Sequence, residues 1–155
     1  MIPVTGYEGR VVGVLGLGRS GLAAARALEA GGARVLCWDD GEAARTRAEA
    51  QFFEIADLTR DRAWEAGLAL LVVSPGIPAL YPAPHAAVEQ ARARGVPVDN
   101  DVGLLFRALA ASDFDDFDTP PRVVCVTGSN GKSTTTALIG HILETAHVPC
   151  QVGGN

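Results

Sequence analysis

Lysine is almost missing from this chain: of 13 basic residues, 12 are arginine and one, Lys132, is lysine. Positive charge is in deficit as well, with 18 acidic residues and a net charge of −5. Broad binding to a nucleic-acid backbone needs many cations on one face, so this balance argues against it, and any phosphate bound here must be met locally. Cysteine is scarce. Cys37, Cys125 and Cys150 form an odd set with no C-x-x-C pair, and two of them lie inside apolar runs, so reduced, buried thiols are expected rather than a disulfide framework. His85, His141 and His147 show no H-E-x-x-H or comparable spacing, which gives a structural metal no support. No apolar run approaches the roughly 20 residues of a membrane span. Met1 to Arg10 lacks a basic stretch followed by an apolar one, so no secretory signal is expected and a cytoplasmic location is the default.

What the chain does have is hydrophobic residues, 48% of 155, enough for one soluble, globular core of ordinary domain size. Val11 to Leu15, Arg34 to Trp38, Leu68 to Val73, Val96 to Val98 and Val123 to Val126 are short, mostly continuous apolar runs. That pattern suits strands covered on both faces, as in a parallel sheet. Helical stretches lie between them: Ser20 to Ala30 stops at Gly31-Gly32, and Pro84 to Arg94 ends at Gly95. Alternating strand and helix predicts an α/β fold, a parallel sheet with helices on both faces.

The rhythm breaks at Ala111 to Pro121, where Asp113, Asp115, Asp116 and Asp118 precede Pro120-Pro121. Repelling carboxylates and paired prolines predict an acidic linker over 111–121. A first domain is therefore expected over 1–110 and the start of a second over 122–155. The second has room for one βαβ unit at most, and the helix from Lys132 sets Leu138, Ile139, Ile142, Leu143 and Ala146 at helical spacing. Such a stripe must pack against the first domain or another copy of the chain. The expectation is a chain that stops inside its second domain.

Two glycine loops carry the chemistry. Gly16-Leu17-Gly18-Arg19-Ser20-Gly21 reads G-x-G-x-x-G between an apolar strand and an Ala-rich helix, and Asp39 and Asp40 close the next strand about 20 residues on. Here the first glycine serves the turn, the second admits a ligand to the backbone, and the third brings helix and strand together. The helix start then offers free N–H groups to an anion. Ser74-Pro75-Gly76-Ile77-Pro78 follows another strand, at the end of a parallel sheet where open α/β folds place ligands. The second glycine loop is Thr127-Gly128-Ser129-Asn130-Gly131-Lys132-Ser133-Thr134, again between an apolar run and a helix. Its small residues expose backbone amides as an anion nest, Lys132 supplies a cation for phosphates, and the Ser133 hydroxyl suits Mg2+. Only Ser129 and Asn130 separate the two glycines, so the loop is shorter than the usual G-x-x-x-x-G-K-[ST]. From the residues alone, an NAD-dependent oxidoreductase and a non-catalytic nucleotide-binding module remain alternatives.

With T-G-S-N-G-K-S-T at Thr127, G-L-G-R-S-G at Gly16, S-P-G-I-P at Ser74 and G-G-N at Gly153, the chain resembles the Mur ligases, ATP-dependent amino-acid ligases of peptidoglycan synthesis. Asn130 in the loop and a Rossmann-like first domain favour the D-glutamate-adding branch. The resemblance implies that Gly18, Arg19, Ser20, Asp39, Asp40, Ser74, Pro75, Gly76 and Asn155 contact UDP-N-acetylmuramoyl-L-alanine. It implies that Gly128, Ser129, Asn130, Gly131, Lys132, Ser133 and Thr134 bind ATP, with Lys132 catalytic and Ser133 on Mg2+. The substrate's carboxylate would become an acyl phosphate that D-glutamate attacks. The remaining parts of such an enzyme lie outside these residues, so this stretch is expected to bind without turning over.

Overall fold

The computed structural model describes residues 2–111 and 122–153. The chain forms two compact units, Met1–Asp113 and Phe114–Asn155. In the first, the order is β1 (Val11–Leu15), α1 (Arg19–Ala30), β2 (Arg34–Trp38), α2 (Glu42–Glu49), β3 (Glu54–Ile55), α3 (Asp61–Trp64), β4 (Leu68–Val73), α4 (Ala86–Ala93), β5 (Val98–Asp99) and α5 (Asp101–Ala111). The five strands form one sheet in the order β3-β2-β1-β4-β5, with every pair parallel. This is a Rossmann-like α/β architecture.

Alternate residues of the central strands enter two different cores. Val12, Val14, Val35, Cys37, Leu70 and Val72 pack with Ala24, Ala25 and Leu28 of α1, Ala48 of α2, and Leu104 and Ala108 of α5. Leu15, Leu36, Leu71 and Val73 face Trp64 of α3 and Ala87, Val88 and Ala91 of α4. A strand apolar on both faces is what a sheet between two helical layers requires. Each fully buried Val or Leu contributes about 1.5–3 kcal/mol, so β1, β2 and β4 form the rigid centre on which the loops are mounted.

Some expectations are corrected. The strand at Val96 to Val98 is instead Val98–Asp99: Pro97 has no N–H to give the ladder, and its carbonyl alone pairs, accepting from Leu71 N at 2.9 Å. Residues 100–111 contain a helix, α5, that Asn100 caps by accepting the Gly103 amide at 2.9 Å. Its last residue is Ala111; the rest of the acidic segment lies outside the described residues. Cys37 alone is buried, whereas Cys125 and Cys150 are exposed, and all three are free thiols.

In the second unit the described residues contain one helix, α6 (Lys132–Thr145), and no strand. Val123 to Val126 belongs to no regular element among the described residues, with Val124 67% exposed; an apolar run becomes a strand only where a neighbour completes its ladder. The expected βαβ unit is therefore reduced to loop and helix. Within the single chain Gly140 is the one buried residue of α6, and Leu138 and Ile142 are each 56% exposed. Among the described residues no helix is long and apolar enough to cross a membrane.

Candidate functional site

In the first unit the chain runs outward from β1 to β2 and β3, then returns to place β4 on the other side of β1. That reversal opens a crevice at the carboxyl ends of β1 and β4, the usual ligand position in such sheets. The first glycine loop lies there. Gly16 has φ +90°, and a Cβ on it would sit 2.8 Å from the Ser74 Cβ, so both backbone conformation and space demand glycine. A Cβ on Gly21 would sit 1.8 Å from the Gly16 carbonyl oxygen, which lets α1 start hard against the loop. Gly18 is different: a Cβ there would meet nothing within 4 Å. The space over its backbone is open.

Asp39 and Ser74 brace this loop. Asp39 accepts the Leu17 amide at 2.7 Å through Oδ2 and the Gly41 amide at 2.8 Å through Oδ1. Ser74 donates its hydroxyl to the Gly16 carbonyl oxygen at 2.8 Å. Pro75 and Gly76 beyond it are exposed. Asp40 pairs with His85, Nε2 to Oδ2 at 3.1 Å. Arg45 donates to the carbonyl oxygens of Asp39 and Asp40 at 2.7 and 2.9 Å and lies over the Trp38 ring, 4.6 Å from its centre. Neither Arg45 nor His85 was legible as a site residue: Arg45 reaches back along its own β2–α2 turn, and His85 is brought to Asp40 by sheet order rather than by spacing along the chain.

The two helices that follow glycine loops start differently from the others. Among the described helices, α2, α3, α4 and α5 each carry an acid in the first turn, Glu42, Asp61, Glu89 and Asp101. Both α1 and α6 carry none and open on a base, Arg19 or Lys132, while the lack of a side-chain cap is something they share with α2 and α3. A cation at the positive end of a helix is unfavourable by itself. It becomes favourable when an anion sits between base and amides, as in phosphate-binding loops.

The second loop has its own geometry, in the second unit. Gly131, the N-cap of α6, has φ +77°, a left-handed conformation that suits glycine. The Lys132 ammonium folds back over the loop, donating to the carbonyl oxygens of Gly128 at 2.6 Å and Ser129 at 3.3 Å. Ser129, Asn130, Ser133 and Thr134 are exposed around it. Thus Gly18, Arg19, Ser20, Asp39, Asp40, Ser74, Pro75 and Gly76 share one sheet edge, and Gly128 to Thr134 form one loop and helix start. Asn155 lies outside the described residues. Among the described residues no group of three or more His, Cys, Asp or Glu could hold a metal ion.

Comparison with known proteins gives the chain its relatives. No family model matches it. A Cereibacter sphaeroides protein named UDP-N-acetylmuramoylalanine--D-glutamate ligase is 68% identical over 155 residues, which is 100% of this chain and 33% of that protein. Proteins of the same name from Jannaschia sp. and Roseobacter denitrificans are 64% and 57% identical, over 97% and 100% of this chain and 32% and 33% of their own lengths. Shikimate dehydrogenase from Aquifex aeolicus superposes with a TM-score of 0.49 at 16% identity, over 68% of this chain and 47% of its own, too slight a likeness to bear on function. The chain spans about a third of the length of the curated relatives it matches. From end to end the chain matches the N-terminal third of proteins named UDP-N-acetylmuramoylalanine--D-glutamate ligase.

Proposed function

We propose that these residues are the UDP-substrate lobe and the beginning of the ATP site of a ligase that joins D-glutamate to UDP-N-acetylmuramoyl-L-alanine in peptidoglycan synthesis, a reaction of the cytoplasm. The observation that carries this reading is the pair of helix starts, α1 and α6, whose amides are left uncapped beside a base. A diphosphate and a triphosphate are the two anions such a ligase must hold. The domain limits that go with it are a UDP-binding domain over 1–110, an acidic linker over 111–121 and an incomplete P-loop domain over 122–155.

In the first unit, the α1 amides and Arg19 would meet the diphosphate, Gly18 would let it approach the backbone, and Ser20, Asp39, Asp40, Ser74, Pro75 and Gly76 would border the uridine, with Asn155 reaching the same substrate. In the second, Gly128, Ser129, Asn130, Gly131 and Thr134 would surround the ATP phosphates. Lys132, now bonded to the loop's own carbonyls, would turn to them as the one mobile cation of the loop. The single hydroxyl of Ser133 suits Mg2+, which keeps several waters and draws other ligands from phosphates. When bound, ATP would supply its γ-phosphoryl group to the substrate carboxylate, leaving ADP and an acyl phosphate, with Mg2+ neutralising phosphate charge. The D-glutamate amine then forms the C–N bond as the C–O bond to phosphate breaks, releasing phosphate and a proton. The residues here contribute binding and charge neutralisation in that sequence. Taken by itself, the chain would bind without turnover, and the exposed Leu138 and Ile142 would draw two copies together.

Parallel calorimetric titrations with UDP-N-acetylmuramoyl-L-alanine, ATP and NADH test this. The expected result is a response to the first, a weaker one to ATP and none to NADH. NADH binding with no response to the UDP compound would favour the oxidoreductase instead.

A further inference from the structure

The loops that follow β2 and β4 are joined by a side-chain pair whose members are 45 residues apart in sequence. His85, the N-cap of α4, accepts the Ala87 amide at Nδ1, 3.1 Å away. A nitrogen that accepts carries no hydrogen, so the neutral ring bears its hydrogen on Nε2. Nε2 lies 3.1 and 3.2 Å from the two oxygens of Asp40, to which it donates. The His85 side chain is 13% exposed and that of Asp40 70%. The imidazole, fixed by its cap, is therefore the anchor, and the carboxylate is what it restrains. From the opposite side, Arg45 holds the Asp39 and Asp40 carbonyls.

We infer that His85 is a positioning residue of the nucleotide site: through Asp40 it ties the β2–α2 turn to the β4–α4 loop and so sets the opening of the crevice. This rests on the UDP reading above and adds to it a residue outside the glycine loops. It also fixes the character of that junction. An ionised carboxylate only accepts hydrogen bonds, so the ligand group that meets Asp40 is a donor, such as the ring N–H of a uracil.

The test is titration of UDP against the full 155-residue chain and its His85→Ser, Asp40→Asn and doubly substituted forms, with melting temperatures alongside. Serine keeps an N-cap for Ala87 but cannot reach Asp40, which separates the clasp from helix stability. The expected result is UDP binding by the unaltered chain, a loss of about three- to tenfold in each single variant, no further loss in the double variant, and an unchanged melting temperature for His85→Ser. In long-range 1H–15N spectra His85 of the unaltered chain shows the Nε2–H tautomer, and Asp40→Asn shifts its signals. Variants that bind UDP as tightly as the unaltered chain overturn the positioning role and leave the nucleotide reading standing. Additive losses, or a melting temperature that falls with affinity in His85→Ser, also overturn it. No response to UDP from the unaltered chain overturns the nucleotide reading and the positioning role together.

Discussion

The Ser74 hydroxyl and the Gly16 carbonyl oxygen, 58 residues apart in sequence, are joined by a 2.8 Å hydrogen bond. The same carbonyl would be struck by any side chain on Gly21. One peptide group thus fixes the end of β1, the end of β4 and the start of α1 relative to one another. The crevice between the two strands is set by covalent geometry and hydrogen bonds before any ligand arrives, and a site built this way loses little conformational entropy on binding.

Gly21→Ala and Gly18→Ala separate the two uses of glycine in that loop. At Gly21 the new Cβ meets backbone at 1.8 Å, which only a shift of loop or helix relieves, so the variant loses about 1–3 kcal/mol of stability. At Gly18 nothing lies within 4 Å and φ is −73°, so stability changes by less than about 0.5 kcal/mol. UDP affinity falls in both. Melting curves and titrations of the two variants check this, and a Gly18→Ala chain that binds normally would mean no ligand approaches the backbone there.

Much of this lobe is legible in the sequence, for a physical reason. Strands β1, β2 and β4 are covered on both faces and so read as unbroken apolar runs. Strand β3, Glu54–Ile55, is a two-residue edge with an exposed glutamate, and α2 buries Ala48 alone, so neither leaves a periodic signal. Val123 to Val126 carries the signal of a strand without the neighbour that would make it one. The glycine loop is legible because sterics dictate its residues. The bracing by His85 is not, since it depends on which strands lie side by side.

Thiol reactivity follows burial. Cys37, on β2, is fully buried between the sheet and its helices, and burial, reinforced by the charges of Glu29 and Glu54, pushes its pKa up to about 12. The thiolate is the reactive form. Iodoacetamide at pH 8 should therefore alkylate Cys125 and Cys150, which are exposed, and leave Cys37 unmodified until denaturant is added. Mass spectrometry of the digested protein reads the result directly, and early labelling of Cys37 would contradict this packing.

The pair Arg34–Glu54 predicts a pH-dependent increment of stability. Arg34 donates from Nε and Nη2 to the two oxygens of Glu54, at 2.9 and 2.5 Å, across the β2–β3 edge. This hydrogen bonding lowers the Glu54 pKa from its ordinary 4.5 and raises that of Arg34. A carboxyl depressed in the folded state stabilises the fold above its unfolded value and loses that contribution as the pH falls through the folded one. Glu54→Gln should therefore melt lower than the unaltered chain at pH 7, with the difference shrinking below pH 4.5. Both side chains are about half exposed, so the difference is small and screened by salt. Equal melting temperatures at neutral pH and low ionic strength would show the pair contributes nothing.

Lys132 carries the sharpest consequence for activity. In the chain alone its ammonium donates to Gly128 and Ser129, both exposed carbonyls that water can satisfy instead. Lys132→Ala should therefore leave the melting temperature almost unchanged. If the proposed function holds, the same substitution in the full-length protein would remove charge-assisted contacts to phosphate worth about 1.5–3 kcal/mol each, so turnover should fall at least tenfold to a hundredfold. Arginine would not restore it, because a planar fork differs from a compact ammonium in reach and geometry. Steady-state rates of the two variants at saturating ATP decide the matter, and full activity in Lys132→Ala would remove the loop from the reaction.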